Sequence, residues 1–138
     1  MRDYIFHGKR IDTDEWVEGY YCKVEKLDKS GYEHFIIEES ADGSSHLIEP
    51  ESVGQYTGMN DKNGRKIFEG DIVDCWSDGV HAKGTVQQRK DGLWIIYPAW
   101  QKYIMWGLCP DEYSNTTVEV IGNEFENKDL LEEWAWII

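Results

Sequence analysis

Ile72-Val73-Asp74-Cys75-Trp76, Asp78-Gly79, His81 to Gln88, Asp91-Gly92 and Leu93-Trp94-Ile95-Ile96-Tyr97 follow one another within residues 72–97. Runs rich in β-branched and aromatic residues read as strands. Asp-Gly pairs read as tight turns, because glycine adopts positive φ without steric cost. The last run stops at Pro98. Two further runs, Tyr103 to Leu108 and Thr117-Val118-Glu119-Val120-Ile121, bring the expected strands to five. No helical crossover lies between them. The predicted class is therefore mainly β, with a small barrel rather than an open parallel sheet.

Upstream, the reading is again β. Trp16 to Lys23 is aromatic and β-branched, and Tyr4-Ile5-Phe6-His7 can pair with it through a turn at Asp12-Thr13-Asp14. His34-Phe35-Ile36-Ile37 and His46-Leu47-Ile48 flank the turn cluster Ala41-Asp42-Gly43-Ser44-Ser45. Pro50-Glu51-Ser52 predicts a short helical turn, since proline suits a first helical position. Downstream, Asn127 is a predicted N-cap and Asp129 places a negative charge in a first turn. Leu130, Leu131, Trp134, Ala135 and Ile138 share one face at helical spacing, widened by Trp136 and Ile137. The expected organisation is an N-terminal β-hairpin subdomain over 1–53, a barrel over 54–122 and a C-terminal amphipathic helix over 123–138.

Composition excludes several classes. The 138 residues carry 27 Asp+Glu against 14 Lys+Arg, a net charge of −13. Seven Trp, eight Tyr and four Phe make the chain too aromatic for disorder. No apolar run reaches the ~20 residues of a bilayer span, so no membrane partner is expected. Met1 to Arg10 holds no apolar stretch of a secretory signal's length, and cytoplasm is the expected compartment. Cys22, Cys75 and Cys109 are few, odd in number and far apart, which fits free thiols in a reducing environment. The charge is uneven. Residues 1–60 hold 13 acids and 6 bases, residues 61–110 hold 6 and 7, and residues 111–138 hold 8 and 1. A nearly neutral middle lies between acidic flanks.

Reactive chemistry finds little support. Asp61, Asn63 and Gly64 fall at the third, fifth and sixth places of a calcium loop. The first place would then be Met59 and the twelfth Gly70, and neither can supply the carboxylate needed. Zinc calls for close Cys or His pairs, whereas His7, His34, His46 and His81 are scattered. The acidic neighbours Glu38-Glu39 and Glu132-Glu133, and Asp71 with Asp74, read as solvated faces. Adjacent strand residues point to opposite sides. No phosphate-binding glycine loop, GxSxG elbow or HExxH is present. The expectation is no catalytic residue, no cofactor and no metal ligand.

Tyr97, Trp100, Tyr103 and Trp106 recur at spacing three, serving as core or as an exposed platform for a protein partner. Trp100, Trp106, Trp134 and Trp136 are the expected interaction surface. With Lys83, Arg89, Lys90 and Lys102 nearby, the same platform could stack single-stranded nucleic acid.

Val53-Gly54-Gln55-Tyr56-Thr57-Gly58-Met59-Asn60-Asp61-Lys62-Asn63-Gly64-Arg65-Lys66-Ile67-Phe68-Glu69-Gly70-Asp71-Ile72-Val73 resembles the signature of the YopX family, small proteins of phages and prophages. Phe6 to Asp12 with Glu15 to Gly19, and Val120 to Asn127, are similar to that family in the same order. His7 stands where arginine is common, and Glu124 where an apolar residue is common. The resemblance implies a mainly β fold with an SH3-like barrel, a phage or prophage origin and the bacterial cytoplasm. It implies no activity. The residues of the motif agree. Gly58, Gly64 and Gly70 sit where turns need positive φ. Asp61 and Asn63 can bond to their own turn, and Asp71 can cap the break before Ile72. Gly54, Tyr56 and Glu69 complete this set of motif positions, read as shaping backbone.

The expected function is a non-catalytic protein-interaction module that self-associates, with a host or phage protein as a further partner. The alternative is a factor in phage replication or regulation that binds nucleic acid or imitates its charge. An enzyme acting on a small molecule would need a pocket holding a perturbed acid or histidine.

Overall fold

The computed structural model describes residues 4–39, 42–77, 80–98 and 106–131, with backbone alone at 76, 77, 80, 81 and 98. The chain divides into two compact units, Met1–Tyr56 and Thr57–Ile138. The division falls a few residues beyond the expected boundary at 53, inside a strand.

The first unit contains β1 (Phe6–Lys9), β2 (Trp16–Glu25), β3 (Tyr32–Ile37), β4 (Ser45–Leu47), a 3-10 turn at Pro50–Ser52, and the start of β5 (Gly54–Asn60). The strand order is β4-β3-β2-β1-β5. The predicted hairpin is present, with Phe6 opposite Gly19 and Lys9 opposite Trp16. Its first strand begins two residues later than expected. Val17, Gly19 and Tyr21 of β2 face the core. Val17, Ile36 and Ile48 are buried together, with Phe6, Tyr21 and Val53 packed on them. Gly19 is required by close approach, because a Cβ there would run into the Ile37 carbonyl.

In the second unit the rest of β5 lies beside β6 (Lys66–Phe68). Neither strand was expected. A five-stranded antiparallel sheet follows, in the order β10-β9-β8-β7-β11. Its strands are β7 (Asp71–Ser77), β8 (Val80–Gln88), β9 (Trp94–Pro98), β10 (Trp106–Gly107) and β11 (Glu119–Asn123). These correspond to the five predicted runs. Alternate residues supply one face of the core. Val73 and Cys75 lie opposite Gly84 and Ala82, and Val86 opposite Ile96. Met59, Ile67, Trp94, Leu108, Val118 and Val120 complete the cluster.

The barrel does not close. Among the described residues β10 and β11 are the two edges of this sheet and no ladder joins them. β11 is bulged between Val120 and Gly122, which breaks the regular register that a closing strand pair needs. At the C-terminal end, helical residues begin at 129–131. Asn127 does not cap them as predicted. Its Oδ1 accepts the Asn123 N–H at 3.1 Å, closing the preceding turn instead. No helix among the described residues is long and apolar enough to cross a membrane.

Candidate functional site

The second unit concentrates its buried charge in the motif. Asp61 is 2% exposed and Asp71 is 3% exposed. A buried carboxylate needs donors, and Asp61 has three. Its Oδ1 accepts the N–H groups of Asn63 and Arg65, both at 2.9 Å. Its Oδ2 accepts the N–H of Val120 at 3.1 Å. One side chain thus closes its own turn and holds β11. Around it, Asn60 N–H donates to Ser114 C=O, Thr116 N–H to Asn60 C=O, and Lys62 N–H to Val118 C=O. Gly64 (φ +82°) completes the turn by donating to Asp61 C=O.

Asp71 accepts the Phe68 N–H at 2.8 Å, across the turn containing Gly70 (φ +90°). Gly70 bonds in two directions, donating to Val86 C=O and accepting from Glu124 N–H. Burial pushes the Asp71 carboxyl up to about 7; the Phe68 N–H and the Arg65 charge oppose the shift, and Asp61 adds to it. Glu124 is also raised, first by burial.

The other motif positions have separate roles. Gly54 opens β5 opposite His7, and Tyr56 N–H donates to Ile5 C=O at 2.7 Å. Gly58 has φ +82° with open space around it, so its backbone angle alone calls for glycine. Thr57 Oγ1 donates to Ile67 C=O at 2.9 Å and accepts the Met59 N–H at 3.1 Å. Glu69 is exposed and does not join the buried carboxylates. Among the described residues, no three His, Cys, Asp or Glu side chains are grouped to hold a metal ion.

Trp106 is half-buried against the second unit's core. Trp100, Trp134 and Trp136, named with it as an interaction surface, lie outside the described residues. So does Lys102. A cavity of about 280 Å³ lies beside Trp106, lined by Cys75, Ile96, Leu108, Cys109, Thr116 and Val118 among others. Its titratable lining is two thiols. Cys75 Sγ donates to Ala82 C=O at 3.3 Å, and burial pushes it up to about 12. The perturbed acid, Asp71, does not line this cavity.

Sequence reasoning missed a surface on the first unit. The even positions of β2 face away from the core, and the ladders place Phe35, Ile37 and Leu47 beside them. Trp16, Tyr20, Cys22, Val24, Phe35, Ile37 and Leu47 therefore share the outer face, all half-buried or exposed. Tyr20 is 52% and Val24 54% exposed. The parity of Val17, Gly19 and Tyr21 was the available signal.

Among solved structures, the chain is similar to the crystal structure of protein EF1440 from Enterococcus faecalis. Identity is 21%, the match covers 95% of this chain and 99% of that one, and the TM-score is 0.51. This is a likeness of fold. No curated protein matches. The family model described as YopX protein matches residues 6–132, nearly the whole length, and the chain belongs to the YopX family.

Proposed function

We propose that this chain is a non-catalytic protein-interaction module that self-associates through the β2–β3 hairpin of its first unit. The outer face of that hairpin carries the proposal. Tyr20, Cys22, Val24, Phe35 and Ile37 lie together there, outside the core cluster. Contiguous exposed apolar surface of this kind marks interaction sites. The second unit agrees with a non-catalytic role. Asp61 and Asp71 accept peptide N–H groups, and the thiol of Cys75 is held protonated. The expected setting is the bacterial cytoplasm.

Sedimentation over a wide concentration range tests this. The mass should rise above that of a single chain. Added salt should strengthen association, because each copy carries −13 and like charges are screened. Val24→Asp should weaken association at least about tenfold, equivalent to ~1.4 kcal/mol, with the fold unchanged. A single-chain mass at every concentration would reject the reading.

One observation favours nucleic-acid association as a second reading. An open groove on the β8–β9 hairpin is lined by Arg89, Lys90 and Tyr97 among others. Arg89 is already paired with Asp91 at 2.9 Å, which lowers the positive charge available there. Titration with single-stranded and duplex DNA at low salt should show binding that Lys90→Glu weakens. Absence of binding at low salt would end this reading.

A further inference from the structure

Strand β2 is longer than the strand that covers one of its edges. β1 pairs only with Trp16 to Gly19, while β3 covers the opposite edge from Tyr20 to Glu25. Two hydrogen bonds show which peptide groups look toward the uncovered side. Arg10 N–H donates to Glu15 C=O at 2.8 Å, so odd-numbered residues of this strand turn their N–H and C=O toward β1. On the far flank, Ile48 N–H donates to His34 C=O at 3.0 Å. His34 therefore faces β4, and its opposite number, Lys23, faces away from β3. Both bonds give one polarity. Lys23 and Glu25 direct their peptide groups at an edge where, among the described residues, no strand lies. Both are exposed.

We propose that two copies of this chain join along this edge as antiparallel strands, about a two-fold axis at Val24. The inference rests on the self-association reading and names its geometry. In this register Lys23 opposes the partner's Glu25, and Glu25 opposes the partner's Lys23. Each pair exchanges both of its N–H···O bonds and matches opposite charges. Val24 meets the partner's Val24 on the outer face, in the closer, non-hydrogen-bonded type of pair. An edge lysine alone blunts strand pairing. Here the acid two residues on neutralises it, in a register that pairs the segment with itself. An isologous contact needs that self-complementarity. The outcome is one continuous sheet whose apolar outer face is doubled.

Lys23→Pro tests the geometry. Proline removes an N–H that points at the partner and spares the bonds to β3, and edge positions tolerate it. Association should fall at least tenfold while β-sheet circular dichroism is unchanged. Charge reversal gives a second readout. Lys23→Glu and Glu25→Lys should each weaken association, and the double variant should restore it. Wild-type association in Lys23→Pro, or a double variant no better than the singles, overturns the edge pairing and leaves the self-association reading standing. A monomeric wild-type protein removes both.

Discussion

Asp61→Ala should lower the unfolding free energy by about 3 kcal/mol, read as a shift of the urea midpoint. The carboxylate accepts three peptide N–H groups at 2.9–3.1 Å from a site 2% exposed. Alanine leaves three donors without their acceptor: the buried Val120 N–H, at roughly 1–3 kcal/mol, and the part-buried N–H groups of Asn63 and Arg65, each at or below the low end of that range. Water entering the vacated space recovers part of the sum. A loss of this size is a large share of the ~5–15 kcal/mol that holds a typical domain together. Asp61→Asn should cost about half as much. Its amide oxygen can still serve Asn63 and Arg65, but its NH₂ would face the Val120 N–H, donor against donor. A loss below about 1 kcal/mol in Asp61→Ala would show that the turn and β11 hold without this side chain.

The second large effect depends on pH. In the folded chain burial moves Asp71 from 3.8 up to about 7. A raised acid binds its proton more tightly when folded than when unfolded. Its stabilising contribution is complete below pH 3.8 and is lost as pH rises through about 7. A shift of this size corresponds to about 4 kcal/mol between the limits. Asp71→Asn keeps a carbonyl oxygen for the Phe68 N–H and carries no charge. The variant should match the wild type near pH 4 and exceed it by a few kcal/mol at pH 8, as an order of magnitude. Glu124, raised in the same direction, titrates in both proteins and cancels in the comparison. Urea unfolding of the pair at several pH values decides it. Parallel curves across that range would exclude Asp71 as the titrating group.

The five strands of the second sheet were legible because their apolar residues alternate and Asp-Gly pairs separate several of them. Strands β5 and β6 were not. Gly58 interrupts β5 with a positive φ, and the buried Thr57 is polar, its hydroxyl donating to Ile67 C=O and accepting the Met59 N–H. Barrel closure was expected from strand number, yet it also requires the two edge strands to pair in register, and β11 is bulged between Val120 and Gly122. Within the motif, the bonds from Asp61 to its own turn could be read locally. The bond to Val120, 59 residues away, could not, because no local pattern specifies a side chain's distant partner. The outer face of the first sheet was hidden for a related reason. Trp16, Tyr20 and Cys22 look as core-like as Val17 and Tyr21 until Ile36 and Ile48 settle which side is inward. Trp106 carries the same ambiguity; its aromatic ring turned out to cover the core from the edge strand.

The bond from Asp61 to Val120 also orders events in time. A ribosome makes residue 61 well before residue 120, and a buried carboxylate cannot be dehydrated cheaply with a donor still missing. The turn at 61–65 therefore stays hydrated and unfinished on the nascent chain until β11 has emerged. Bringing residues 61 and 120 together also costs loop-closure entropy, which local contacts of the turn do not. A message truncated before codon 120 would yield a polypeptide unable to complete this bend, leaving it open to proteases.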